Sequence, residues 1–353
     1  MLGIDRRAAA YSWTAALVLL LLWLTYLVRS TLFIFILALL FAYLLAPLVN
    51  LLDRFLPASR TRTPALALAY VIFVAVVILI GTQIGSRAVD EANNLAKRFP
   101  EMVASWQTPA PTATDASLKD QILGKVRTEI AARSRDLISA LPQVGLKALT
   151  VASELIYVVI IPILGFFFLK DARLMRQHIL DMVTEGPRRA LLDDVLADVN
   201  LLLASYMRAL VLLSAATFTA YSIFFSIMGV PYAVLLAALA GLLEFIPMVG
   251  PLTASAVILL VAGLAGSHII AVLIFLLAYR VFQDYFLSPH LMGKGVELHP
   301  LLVLFGVFAG AEVAGIPGTF LSVPVLALAR IIYLRIRKAR LEARLASTST
   351  VRP

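Results

Sequence analysis

Two apolar stretches of the sequence each carry a carboxylate beside residues that break helices. The first is EFIPMVGP (244–251), which begins with Glu244, and the second is EVAGIPG (312–318), which begins with Glu312. The helix breakers are Pro247, Gly250 and Pro251 in the first stretch and Gly315, Pro317 and Gly318 in the second. A carboxylate at the centre of a bilayer costs about 2.5–3.5 kcal/mol on insertion scales, so acids retained there typically serve a solute pathway, a proton relay or a cation site.

A third group of polar residues follows another apolar run. Arg280, Gln283 and Asp284 lie within five residues in YRVFQD (279–284), and the spacing of Arg280 and Asp284 predicts an ion pair along one helix face. Glu154 either pairs with Arg280 or stays near the membrane surface. His299 is either a group that titrates near neutral pH or a loop residue without a special role.

The composition indicates the kind of fold that positions these residues. Of 353 residues, 61% are hydrophobic and 14% are charged, whereas soluble domains are about half apolar and about a quarter charged. We therefore predict an all-α polytopic membrane protein with about six to eight transmembrane segments of about 20 residues each. The clear spans are 11–28, 31–52, 64–86, 147–169, 209–229 and 267–287.

Two further apolar segments, 231–262 and 300–334, are too long for single spans. As straight helices they would measure roughly 48 and 52 Å, against a hydrocarbon core of about 30 Å. Their prolines and glycines remove hydrogen bonds from a helix interior. Each segment is therefore predicted to be two half-helices around a break.

The two broken segments also resemble each other. Pro231 precedes Gly241 by ten residues and Pro300 precedes Gly310 by ten, and an acid and a break follow in both. Paired interrupted segments are typical of the binding sites of transporters. They are either two kinked spans, which place the loop 288–299 outside, or two re-entrant hairpins, which place it inside. Arg280 and Lys294 favour the inside, because basic residues accumulate in cytoplasmic loops.

The polar stretches complete the predicted domain organisation. Residues 87–146 form an extracytoplasmic insertion, 170–208 a cytoplasmic helical segment and 335–353 a basic cytoplasmic tail; the three flank the spans of 1–86, the fourth span and the transport core 209–334. The basic residues of the short loops place both termini in the cytoplasm. The insertion contains two amphipathic stretches, Val89, Ala92, Leu95, Ala96 and Phe99, then Leu118, Ile122, Val126 and Ile130. They either pack against the membrane domain or against each other, or they bind a partner.

Several classes of protein are disfavoured by what the sequence lacks. It contains no G-x-x-x-x-G-K-[ST] loop for ATP and no H-E-x-x-H or G-x-S-x-G motif of hydrolases. It has no cysteine, which excludes disulfides and thiolate metal sites. The net charge of +9 is explained by basic loops and the tail rather than by nucleic-acid binding. We expect no enzymatic activity, no cofactor and no metal, and expect the lipid bilayer and a small polar solute as partners.

The sequence resembles a known family over essentially its whole length, most specifically in its C-terminal half. FFFLKD (166–171), GLLEFIPMVGP (241–251) and the stretch from QDYFLSPHL to FLSVP (283–324), with the polar insertion after three spans, resemble the autoinducer-2 exporter (AI-2E) family. The matching motif positions are Pro247, Gly250, Pro251, Gln283, Pro289, Gly293, His299, Pro300, Gly310, Gly315, Gly318 and Pro324. The resemblance implies a multi-pass protein of the cytoplasmic membrane, a homo-oligomer, and export of the quorum-sensing signal autoinducer-2 or sodium/proton antiport.

The sequence thus leads to one main functional hypothesis and two alternatives. The main hypothesis is a secondary transporter that exports a small polar solute between the two broken segments, either coupled to a proton or sodium ion or uncoupled. The first alternative is a sodium/proton antiporter with Glu244, Glu312 or Asp284 as exchanging acids. The second is a membrane scaffold whose insertion binds a partner outside the cell.

Overall fold

The structure, a computed structural model, describes residues 6–55, 62–107, 155–292 and 298–349. These residues form helices joined by short connections, and no β-strand occurs among them. The helices are α1 (Arg6–Leu27), α2 (Arg29–Phe55), α3 (Thr63–Ile80), α4 (Ser86–Gln107), α5 (Leu155–Asp181), α6 (Pro187–Ile227), α7 (Ala233–Leu243), α8 (Val249–Leu264), α9 (Ile269–Phe282), α10 (Ser288–Met292) and α11 (Pro300–Ser349). Two π-helical turns join α3 to α4 (Gly81–Gly85) and α9 to α10 (Gln283–Leu287). The predicted all-α class is confirmed.

Six helical stretches in the described part of the chain are long and apolar enough to cross a membrane. They are Ala10–Leu27, Arg29–Phe55, Thr63–Ala104, Pro187–Ile227, Ile269–Leu291 and Pro300–Glu342. Two shorter apolar helices, α7 and α8, add to them. The side chains of residues 10–27 in α1 are all exposed, as expected for a helix that faces lipid. These helices confirm a polytopic membrane protein.

Two helices run beyond the ends that the sequence pattern predicts. α5, described from Leu155 onwards, continues past the fourth predicted span to Asp181, and α6 passes without a break through the predicted boundary at 208. An ion pair joins the polar part of α5 to the polar start of α6: Arg176 Nη2 lies 2.7 Å from Asp193 Oδ1. Residues 147–154 of the fourth span and the second amphipathic stretch of the insertion lie outside the described residues.

The second and third spans, α2 and α3, pack closely with α5. A Cβ atom on Gly165 of α5 would lie only 2.8 Å from the Phe41 ring and 3.3 Å from the Ala38 carbonyl oxygen, both on α2. The hydroxyl of Tyr70 on α3 donates to the Pro162 carbonyl oxygen at 2.8 Å. Small residues let helices approach closely in membranes, where packing rather than water exclusion drives association.

The first broken segment folds back on itself. Leu235 near its start donates its backbone N–H to Glu91 Oε2 at 2.7 Å, and Leu264 at its end packs on Phe99 and Val103. Along α4, Glu91 and Val103 are only about 18 Å apart, whereas a straight helix would separate Leu235 from Leu264 by about 43 Å. α7 and α8 therefore form a helical hairpin, hereafter hairpin 1 (233–264).

The second broken segment also reverses direction, within α11. Ala314 and Gly315 leave the helical conformation, with φ of +63° at Gly315. A Cβ atom on Gly310 would lie 2.3 Å from the Gly318 carbonyl oxygen, although a straight helix would hold these residues about 12 Å apart. Pro317 lies in the first turn after the reversal, where its missing N–H costs no helical hydrogen bond. This reversal defines hairpin 2 (300–334), so both broken segments are hairpins and not kinked straight spans.

Candidate functional site

The turn of hairpin 1 brings its two half-helices into direct contact. α7 ends at Leu243, and a Cβ atom on Gly250 would lie 1.8 Å from the Leu243 carbonyl oxygen, so only glycine fits there. Met248, just before α8, has a φ of +61°, a conformation that costs on the order of 1–3 kcal/mol in a residue other than glycine. The tight turn leaves Glu244, the first residue after α7, facing neighbouring helices rather than solvent.

Glu244 is held in a buried polar cluster built from three elements. Its side chain is 9% exposed. Gln283 Nε2 donates to Glu244 Oε1, and Thr217 Oγ1 on α6 donates to Oε2 at 3.4 Å. The hydroxyls of Thr217 and Tyr279 lie 3.2 Å apart. We call Glu244, Gln283, Thr217 and Tyr279 the polar cluster. Because every member is buried, these contacts replace the hydrogen bonds to water that the carboxylate loses.

Two charged residues form the more exposed rim of this cluster. Arg280 Nη1 lies 4.0 Å from Glu244 Oε1, and Arg280 Nε donates to Asp284 Oδ2 at 2.9 Å. The predicted ion pair between Arg280 and Asp284 is confirmed. Their side chains are 40% and 47% exposed, so the site grades from a buried carboxylate to an accessible rim. When both acids are ionised, two carboxylates face one guanidinium, and the site favours cations and hydrogen-bond donors.

A π-helical turn sets the direction of the residues after α9. Within Gln283–Leu287 the side chain of Gln283 is buried against Glu244, whereas Asp284 points to the exposed rim. A π-turn adds one residue to a helical turn and shifts the side chains that follow it, and such turns are frequent at functional sites. The sequence QDYFL contains no proline or glycine, so its pattern gave no indication of this turn.

Sequence reasoning missed two members of the polar cluster, Thr217 and Tyr279. Both lie in apolar helices where single hydroxyl groups are common and draw no attention. A usable signal was the spacing of hydroxyl residues on α6: Ser214, three residues before Thr217, donates to the Gly241 carbonyl oxygen at 2.7 Å. Hydroxyls one turn apart thus mark the α6 face that meets the end of α7.

Glu312 lies apart from the polar cluster. It is exposed at the turn of hairpin 2 beside Val313, which is 83% exposed. Among the described residues Glu312 makes no hydrogen bond or ion pair. The two hairpins do touch, since the rings of Phe245 and Phe320 have centroids 6.2 Å apart. A shared pathway between the hairpins that includes Glu312 stays a prediction.

His299, Glu154 and Arg280 are the accessory residues that the sequence predicts. His299 precedes α11, where its Nδ1 accepts from the Leu301 N–H at 3.3 Å and its carbonyl oxygen accepts from the Leu302 N–H at 2.9 Å. It therefore caps the start of hairpin 2. Glu154 lies outside the described residues, and Arg280 pairs with other acids. In the described ranges no three His, Asp or Glu side chains are grouped as a metal site would require.

The described residues form apolar helices long enough to cross a membrane, two helical hairpins, and a buried polar cluster between hairpin 1, α6 and α9, which is the construction of a membrane transport protein. The model of the AI-2E family transporters matches residues 14–338. The chain therefore belongs to the AI-2E family of transporters, which confirms the resemblance seen in its sequence.

Individual relatives are similar over much or part of the chain. YrrI of Bacillus subtilis, named as a candidate transport protein, is 28% identical over 183 residues, 52% of each chain, so the match spans about half the length of that relative. A candidate transport protein of Mycobacterium tuberculosis is 28% identical over 338 residues, 91% of this chain and 88% of its own. The candidate permease PerM of Escherichia coli K12 is 25% identical over 285 residues, 77% of this chain and 78% of its own.

Proposed function

We propose that this protein is a secondary transporter that exports a small polar solute, of the autoinducer-2 type, across the bacterial cytoplasmic membrane. The observation that carries the proposal is the buried Glu244 at the turn of hairpin 1, held by Gln283 and Thr217. Membership of a transporter family supports this proposal and favours transport over catalysis.

The chemistry of the cluster suits a solute rich in hydroxyl groups. Hydroxyls can donate to the carboxylates of Glu244 and Asp284 and accept from Arg280 and Gln283. Glu244 is buried whereas the rim is exposed, so a solute arriving at the rim exchanges its water shell in steps. A buried polar group left without a partner costs about 1–3 kcal/mol. The cluster should therefore bind most tightly a ligand that forms hydrogen bonds with every one of its groups.

The proposed orientation has both termini in the cytoplasm. Arg335, at the start of the basic tail, binds Asp198 through its Nε at 2.6 Å and Asp194 through its Nη1 at 2.9 Å. These pairs put the start of the tail beside the 170–208 segment, which supports the same side of the membrane for both, and the basic residues of the short loops favour the cytoplasmic side. A homo-oligomeric assembly is part of the proposal and rests on the family resemblance.

The test is transport by the purified protein in proteoliposomes. Vesicles are loaded with a panel of labelled polar metabolites that includes autoinducer-2, and efflux is followed with and without an imposed proton or sodium gradient. We expect saturable efflux of at least one solute. Efflux no faster than from protein-free vesicles, for the whole panel, would overturn the proposal.

Sodium/proton antiport is the second candidate, and the hydroxyl groups of Thr217 and Tyr279 near the carboxylate of Glu244 favour it. Thr217 places a hydroxyl beside this buried carboxylate, and Gln283 adds a side-chain amide. The test needs no solute: a pH-sensitive dye inside proteoliposomes reports proton movement when sodium is added outside. Sodium-driven pH change supports antiport, and its absence together with solute efflux supports the exporter.

The scaffold alternative finds less support in the described part of the insertion. α4, the helix that begins the insertion, packs on hairpin 1 through Phe99 and Val103. This surface is occupied inside the molecule and is not free for an outside partner.

A further inference from the structure

α4 lies across the open end of hairpin 1 and contacts both of its arms there. Near its start, Glu91 reaches Leu235 in the first turn of α7. Further along, Phe99 and Val103 are buried against Leu264 at the end of α8. One helix from outside the hairpin thus holds its two open ends together.

The contact at Glu91 supplies a helix cap from a distant part of the chain. α7 has no side-chain cap of its own, since the residue before it, Tyr232, has a φ of +61° and makes no capping bond. Glu91 Oε2 accepts the Leu235 N–H at 2.7 Å across a separation of 144 residues. A carboxylate at this position satisfies a free backbone donor and interacts favourably with the positive end of the helix dipole.

The unit formed by α4 and hairpin 1 is bounded by connections suited to hinge motion. α4 joins α3 through the π-turn Gly81–Gly85, and a Cβ atom at either glycine would meet nothing within 4 Å. Gly229, before α7, and Gly266, after α8, have φ of +63° and +66°. A few residues at the ends of elements usually absorb the backbone rotation in domain movements.

We propose that α4 and hairpin 1 move as one rigid body, and that Glu91 is the latch that holds them together. Because the turn of hairpin 1 carries Glu244, a displacement of α4 is then passed directly to the polar cluster. The start of the insertion thereby acts as a lever on the buried carboxylate. This inference concerns motion and holds whichever solute or ion crosses the membrane.

Hydrogen exchange of the purified full-length protein tests the latch. In Glu91→Ala we expect amides 233–236 to exchange about 3- to 30-fold faster than in the wild type, the range that corresponds to the loss of a helix cap. Glu91→Gln keeps an acceptor oxygen and should stay within about twofold of the wild type. Glu101→Ala, an exposed acid on the same helix, is the matched control and should cause no change. Unaltered exchange in Glu91→Ala would overturn the latch.

Distances between spin labels, measured in a protein that keeps Glu91, test whether α4 and hairpin 1 form one rigid body. The chain has no cysteine, so Asn94→Cys can be paired with Leu252→Cys across the contact or with Ile78→Cys across the π-turn. All three positions are exposed. We expect a single narrow distance distribution for the first pair and a broader one for the second. A distribution for the first pair as broad as that for the second would contradict the proposal.

Discussion

Hairpins 1 and 2 are built on the same sequence pattern but differ in what surrounds their turns. In hairpin 1 the acid at the turn, Glu244, is buried and held by α6 and by the π-turn after α9. In hairpin 2 the acid, Glu312, is exposed, and the neighbouring Val313 and Ile316 are 83% and 69% exposed. The pattern of an acid before a break therefore predicts a hairpin, whereas the helices packed against the turn decide whether its acid becomes part of a site.

The two hairpins also hold their arms together differently. The arms of hairpin 2 meet backbone to backbone at Gly310 and Gly318. Hairpin 1 has one such contact next to its turn, at Gly250, and its open ends are held by α4. Both hairpins should accordingly be sensitive to added side-chain volume beside their turns, and hairpin 1 also to the loss of polar contacts.

The largest expected effect comes from filling the glycine contact of hairpin 2. In Gly310→Ala the new Cβ atom would lie 2.3 Å from a backbone oxygen, which cannot move away as a flexible side chain would. We expect a loss of about 3 kcal/mol in the free energy of unfolding, seen as a lower unfolding temperature in detergent. Gly81→Ala, in open space, is the control and should be neutral or stabilising. Equal stability of both variants would refute the close packing.

Removing the acid at each turn should lower the stability of the protein by different amounts in the two hairpins. Glu244→Ala removes the acceptor of Gln283 Nε2 in a buried position and leaves Thr217 with Tyr279 alone, so we expect a loss of about 2 kcal/mol. Glu312→Ala removes an exposed side chain and should change stability by less than about 0.5 kcal/mol. Thermal unfolding of the pair in the same detergent measures the difference. Similar losses in both would show that Glu312 also has buried partners.

A smaller effect is expected from the hydroxyl next to Glu244. Thr217→Val keeps the shape of the side chain but removes its hydrogen bonds to Glu244 and Tyr279, at a cost of about 1 kcal/mol. Thr219→Val is the matched control, because within the described ranges that exposed hydroxyl bonds only to the Ala215 carbonyl of its own helix. The unfolding temperatures of the two variants measure this difference in stability. A control that loses as much as Thr217→Val would remove the special role of this hydroxyl.

The smallest expected effect concerns the base of hairpin 2. Its second arm continues into the tail, where Arg335 binds Asp194 and Asp198 on α6. Because these groups are partly exposed, Arg335→Ala should cost only about 0.5 kcal/mol at low salt, and less at high salt. The exposed Arg337 provides the control substitution, Arg337→Ala. Unfolding measured at two salt concentrations checks this, and a salt-independent loss would argue for packing rather than charge.

Much of the architecture could be predicted because it follows from composition and periodicity. The apolar spans, the two interrupted segments and the ion pair of Arg280 with Asp284 are local features, set by residues close together in the chain. Gln283 and Glu244 could be singled out individually, since each is a polar residue in an apolar segment.

The assembly of the site could not be predicted because it depends on contacts between distant residues. Thr217 meets Glu244 only because α6 packs along α7, and Gln283 faces inward only because of a π-turn that no proline or glycine marks. Glu312 has the same local sequence context as Glu244, yet no described helix covers it. Local pattern thus identifies candidate residues, and packing selects among them.

The most direct measurement compares the flux through Glu244→Gln and Glu312→Gln in matched proteoliposomes, with the solute or ion that the wild type is found to move. If hairpin 1 carries the transport site, Glu244→Gln should lower the initial rate by about tenfold or more, because a charged hydrogen-bonding group is lost. Glu312→Gln should stay within about twofold of the wild type. A Glu244→Gln protein that transports at the wild-type rate, while Glu312→Gln does not, would contradict the assignment and move the site to hairpin 2.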